Sequence, residues 1–151
     1  MKVTKKGEYA LRALLSLALV HGQRSHSLRK ISKEEKIPYK FLEQIMILLK
    51  KADFVQSIKG KFGGYRLTRS PKQVTLGEII RAIEGPLAPL ETAAGIKKRI
   101  RSEERHPGLY RALLEVRDAI AEIVDKKTLA DICQESIELA RSQRANPMYY
   151  I

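Results

Sequence analysis

The sequence predicts a mainly α-helical chain with one small β-hairpin. Three observations lead there. Successive stretches in the first half carry apolar residues at three- and four-residue steps. Two short alternating runs then flank a glycine-rich segment, and a long apolar seam lies beyond residue 107. A length of 151 residues suits one ordinary core with an appended oligomerisation element.

The first element is a helix, because Ala10, Ala13, Leu14, Leu17 and Ala18 share one helical face. Lys2, Lys5 and Lys6 before this apolar stretch resemble an export signal. Glu8 and Arg12 interrupt that pattern, however, the uncharged run is too short to span a bilayer, and residues 21–24 offer no small-residue cleavage site. After Gly22, Ser27 caps a short helix through Lys36 with Leu28 and Ile31 inward. Pro38 starts a longer helix over residues 39–52, where a missing amide proton costs little. Leu42, Ile45 and Leu49 form its buried stripe with Leu48 beside it, while Lys40, Glu43, Gln44 and Lys51 face elsewhere.

Residues 54–58 and 65–68 alternate in polarity around Lys59-Gly60-Lys61-Phe62-Gly63-Gly64, which reads as a hairpin with a mobile, basic tip. Thr75 and Glu78 form a Thr-x-x-Glu capping box for a fourth helix with Leu76, Ile79, Ile80 and Ile83 on its apolar face. Gly85-Pro86 ends it. Residues 86–106 are poorly patterned and read as a linker or regulatory segment, with a solvated charge run at its end. Beyond Pro107, Leu109, Leu113, Val116, Ile120 and Ile123 alternate steps of four and three, the narrow seam of a long dimerisation helix. The alternative is that this helix packs back on its own domain. Thr128 begins a further short helix, which Asn146-Pro147 breaks before the tail. The chain therefore divides into 1–85, 86–106 and 107–151.

Charge is segregated along these parts. Residues 1–70 hold 16 Lys and Arg against 5 Asp and Glu, a net of +11 out of the chain's +12, whereas residues 71–151 hold 13 against 12. The first half therefore faces a polyanion. Its order of helix, helix, longer helix and hairpin is that of a winged helix-turn-helix DNA-binding domain, and the major groove, about 12 Å wide, admits one helix. Tyr39, Lys40, Phe41, Glu43 and Gln44 on the longer helix and Ser27 before the preceding one are candidate contacts. Gln44 suits adenine, and Lys40 suits guanine or phosphate. Glu43 either accepts from cytosine, orders a lysine, or makes a local surface salt bridge. Lys59, Gly60 and Lys61 form the wing, where glycine lets the backbone approach DNA.

Other chemistry finds little support. The glycine-rich segment lacks the spacing and the Lys-Ser/Thr end of a phosphate loop. His21, His26 and His106 are separated and read as surface or loop residues without metal-ligand partners. Cys133 is the single cysteine, which excludes an internal disulfide and a multi-thiolate site and suits a reducing, cytoplasmic location. It reads as a small buried hydrophobe, with redox sensing as the alternative. No nucleophile, base and orienting group assemble, so no enzyme activity is expected.

Residues 4–10, 37–45 and 60–67 resemble signatures of the winged-helix repressors of the IscR, NsrR and CymR type, the Rrf-two family. The resemblance continues through residues 75–85 and 128–132 and covers nearly the whole chain. It implies a homodimeric regulator, usually a repressor, bound to an imperfect palindrome in double-stranded DNA and associated with the nucleoid. It makes Tyr39, Lys40, Phe41, Glu43 and Gln44 the recognition-helix residues, and Lys59 and Gly60 the wing contacts. Iron-sulfur members carry three cysteines between the fourth helix and the dimer helix. Here that region has Thr92, Lys98 and Glu103-Glu104, so no iron-sulfur cluster or metal site is expected. Among cluster-free members the chain is most similar to the repressors of cysteine metabolism. That likeness implies binding of O-acetylserine sulfhydrylase, with Tyr149, Tyr150 and Ile151 as a tail inserted in the partner's pocket; the alternative is that the tail packs on the dimer helices. Two other readings stay open: a winged-helix module that binds protein, and a repressor switched by Cys133.

Overall fold

The computed structural model describes residues 2–87, 92–102 and 105–145, and Tyr149, Tyr150, Ile151 and Glu103-Glu104 lie outside them. Seven helices and one hairpin follow in the order α1 (Lys5–Leu19), α2 (Leu28–Glu35), α3 (Tyr39–Lys51), β1 (Val55–Ile58), β2 (Gly64–Leu67), α4 (Leu76–Glu84), α5 (Ala93–Arg101), α6 (Pro107–Lys126) and α7 (Leu129–Ala145), with a 3-10 turn at Pro71–Gln73.

Helix starts follow their side-chain caps. Thr4 Oγ1 accepts from Gly7 N, Ser27 Oγ from Lys30 N, and Thr75 with Glu78 closes the reciprocal box. Pro38 stands at the N-cap of α3 rather than inside its first turn, and makes no side-chain cap there. Lys36 adopts a left-handed conformation (φ 52°) that ends α2 and turns the chain toward α3.

The main core joins Ala10, Ala13, Leu14 and Leu17 of α1 to Ile31, Leu42, Ile45, Met46 and Leu49 of α2 and α3, with Phe54, Val55 and Leu67 from the hairpin. Met46 completes the α3 stripe, and Leu48, expected beside it, is 41% exposed. Burying each such side chain contributes roughly 1.5–3 kcal/mol before entropy is counted. Strands β1 and β2 pair antiparallel from Val55–Leu67 to Ile58–Gly64.

The segment read as a linker contains a helix. Thr92 caps α5 by accepting from Gly95 N, Ile96 is buried, and α5 packs along α6. Its remaining surface is cationic, as the charge run implied. The last helix starts and ends where the sequence places it, and at 17 residues it is not short.

Nor does the core stop at residue 85. Leu129 of α7 is fully buried in the main cluster. Thr75 and Thr128 form an antiparallel bridge, in which Leu76 N donates to Lys127 O at 2.8 Å and Leu129 N donates to Val74 O at 2.9 Å. Arg81 of α4 donates two parallel hydrogen bonds to Asp125 of α6, at 2.6 and 2.9 Å. The winged half and the two C-terminal helices are thereby tied at three points.

Candidate nucleic-acid interface

Helix α3 carries the polar face that the sequence assigns to DNA. Lys40, Gln44 and Lys51 are exposed at spacings that share one side of the helix, and Ile47, 58% exposed, completes that stripe. Ile47 escaped the sequence reading although its position three residues past Gln44 was the available signal. An apolar side chain there suits a thymine methyl. The Lys40 ammonium, 92% exposed, lies 3.5 Å from the Glu43 carboxylate, so Glu43 makes the local salt bridge. That contact is weak in water and leaves Lys40 free to exchange it for a phosphate or a guanine.

Tyr39 is 41% exposed at the first position of α3. Phe41 is placed differently: its ring meets Tyr9 of α1 edge-on, with centroids 5.6 Å apart. It therefore holds α3 against α1 as well as showing one side to solvent. Tyr9 in turn lies under Lys5 and Arg12. Arg12 also reaches the carboxylate and the backbone carbonyl of Glu35, tying α1 to the end of α2. Ser27 is exposed, and because its oxygen accepts from Lys30 N at 3.2 Å, its hydroxyl proton remains the group to offer a phosphate.

The wing is a closed turn rather than a loose tip. Gly63 N donates to Gly60 O at 3.0 Å, and Ser25 Oγ donates to Phe62 O at 2.5 Å. Gly60 has φ 110°, a conformation that side chains resist, and nothing crowds the space where its Cβ would be. Lys59 and Lys61 are exposed on either side of it, and Phe62 is 85% exposed. The Lys61 ammonium sits 5.8 Å from the Phe62 ring centroid.

His26, in the connection between α1 and α2, joins wing to helices and is buried rather than at the surface. Its backbone exchanges two hydrogen bonds with Tyr65, each 2.9 Å, adding one rung beyond β2. Its Nε2 lies 2.9 Å from Glu34 Oε2 of α2. Lys50 Nζ donates to Ser57 Oγ at 2.9 Å and fastens the end of α3 to β1. The recognition helix and wing are thus braced from both sides, which limits the ordering cost of binding.

On α6, Leu109, Val116 and Ile123 are exposed at seven-residue intervals, while Leu113 and Ile120 are half-buried. Ile120 packs with Ile80, Leu87 and Val124, so the helix covers its own domain with one face and leaves an apolar stripe on another. Among the described residues no helix is long and apolar enough to cross a membrane.

The matching family model, described as an iron-dependent transcriptional regulator, spans residues 3–135. The chain is 36% identical over 132 residues to the regulator CymR of Bacillus subtilis, 87% of this chain and 89% of that protein. It is 37% identical over 97 residues to IscR of Cereibacter sphaeroides, 63% of each. The solved structure of B. subtilis CymR, described as the global cysteine regulator, superposes with TM-score 0.77 at 34% identity, covering 89% of this chain and 98% of that one. Staphylococcus aureus CymR gives 0.67 at 30% identity, covering 86% and 96%.

The iron in that description meets no suitable cluster of donors among the described residues. The chain has one cysteine, and among the described residues no three His, Cys, Asp or Glu side chains gather where an ion could be shared. Cys133 is half-buried on α7 with Sγ 3.9 Å from Leu15 O, and burial pushes its thiol pKa up, away from the thiolate a metal or oxidant needs.

Proposed function

Because the chain belongs to the Rrf2 family of transcriptional regulators, we propose that it is a homodimeric repressor of cysteine and sulfur genes that reads a palindromic operator. The observation carrying this reading is the exposed face Lys40-Gln44-Ile47-Lys51 on a helix braced beside a basic wing. Likeness to CymR along nearly the whole chain supports the choice of genes. In this reading Lys40 and Gln44 meet base edges, Ser27, Lys59 and Lys61 meet phosphates, and the stripe Leu109-Val116-Ile123 pairs two copies so that two recognition helices face successive half-sites. The protein acts in the cytoplasm, on the nucleoid, and performs no catalysis.

Control does not run through an iron-sulfur cluster, for want of ligands. A Cys133 switch finds less support than a protein effector, since burial raises the pKa of the thiol. The residues assigned to such an effector are Tyr149, Tyr150 and Ile151, and the partner assigned is O-acetylserine sulfhydrylase. Adding one alanine after Ile151 should abolish sulfhydrylase binding in calorimetry; unchanged affinity sinks that part.

The main test is selection of duplexes from a random library, followed by titration at several salt concentrations. Gln44→Ala should relax preference at one base position by roughly fivefold or more. Lys59→Ala should weaken all sequences alike and reduce the salt slope by about 1. Failure to retard any duplex at low salt would overturn DNA binding and favour a protein-binding module.

A further inference from the structure

We propose that Phe62 is an apolar wedge that enters the minor groove beside the recognition site, partly unstacks one base step and bends the duplex. This inference rests on the DNA-binding reading and adds an element of operator choice to it.

Phe62 is the most exposed large apolar side chain among the described residues, at 85%. It contributes nothing to the core, which takes Phe54, Val55 and Leu67 from the same hairpin. Yet its backbone is held. Ser25 donates to its carbonyl, and the Gly60–Gly63 hydrogen bond closes the turn beneath it, so the ring is carried at a fixed apex. Glycines on both sides keep that apex narrow, which matters in a groove about 6 Å wide.

Electrostatics selects the occupant. Residues 55–67 contain Lys59, Lys61 and Arg66 and no Asp or Glu, so an apolar tip is set in an entirely cationic strand-turn-strand. A basic protein surface would be repelled, whereas two phosphate rows suit Lys59 and Lys61 while the ring passes between them. In the free protein the Lys61 ammonium lies over the ring; on DNA it moves to a phosphate and the ring face is released to a base. Phenylalanine inserted at a base step exchanges base stacking for ring stacking, and the duplex kinks toward the major groove. Pyrimidine–purine steps yield most readily, so the wedge favours TA or CA/TG at one position that no hydrogen bond reads.

The test uses the full-length protein and the tightest duplex it selects, labelled at both ends for energy transfer. Phe62→Ala should weaken binding about tenfold, leave the salt slope unchanged and lower the bend, while Phe62→Leu should keep most of both. Replacing the TA or CA/TG step by a stiff AA step should cost the wild type several-fold and the alanine variant nothing. Unchanged affinity and bend in Phe62→Ala overturn the wedge while leaving DNA binding intact. A loss that appears only as a smaller salt slope also overturns it, since that assigns the effect to Lys61. If the wild type selects no duplex, the underlying DNA reading fails and the wedge falls with it.

Discussion

His26 and Glu34 meet where the wing joins the helices: the buried imidazole Nε2 lies 2.9 Å from a carboxylate oxygen of α2 while the same residue's backbone pairs with Tyr65. One residue thus positions both α2 and β2. His26→Ala should destabilise the fold by about 1–3 kcal/mol in urea unfolding, because a packed polar side chain is removed. Glu34 is 46% exposed and rehydrates, which keeps the loss from being larger. His26→Gln should recover part of it.

Gly64 sits against that junction. A Cβ at Gly64 would fall 2.4 Å from His26 O, a backbone atom that cannot step aside without breaking the rung. Gly64→Ala should therefore cost more than about 2 kcal/mol and speed amide exchange at Tyr65 and His26. Exchange unchanged at both amides would show that the hairpin can shift as one piece.

These residues mark what could and could not be read from sequence. The capping box of Thr75 and Glu78 is legible because its partners are three residues apart, and the α1 and α3 faces are legible because their period is local. Helix α5 is not: with Lys97, Lys98, Arg99 and Arg101 around one buried Ile96, it folds because α6 lies against it. His26 is likewise opaque, since its burial depends on Tyr65 and Glu34 arriving from other elements. Lys40, Gln44, Lys59 and Lys61 are legible as an exposed polar set, whereas Phe41 turns partly inward onto Tyr9, a contact that spacing along one helix cannot show.

Acid should loosen the link between the winged half and α6. Hydrogen bonds from Arg81 hold the Asp125 carboxyl below its ordinary value of 3.8, and the Thr75 backbone does the same for Glu78 from 4.5. A carboxyl depressed on folding stabilises fully above its unfolded value and loses that contribution as pH falls through the lower, folded one. Stability should thus decline from about pH 4.5 downward. Asp125→Asn should flatten the lower part of that decline and, with both partners over a third exposed, lower stability at neutral pH by only about 0.2–1 kcal/mol. Thermal melts of both proteins between pH 2.5 and 7 measure this.

The stripe on α6 is tested by charge. Val116, 57% exposed midway between Leu109 and Ile123, would sit at the centre of an isologous contact. Val116→Glu should convert a dimer to a monomer in sedimentation while leaving helical circular dichroism unchanged. A wild type that sediments as a monomer at micromolar concentration overturns this use of α6.

Leu129 also sets an order of events during synthesis. The residues assigned to DNA emerge from the ribosome first, but the cluster beneath α1 lacks Leu129 until α7 is made, and that contact spans most of the chain. The winged half is completed only after the α6 stripe has been made. A nascent or prematurely terminated chain ending before α7 therefore lacks one of the side chains that close the core under the winged half.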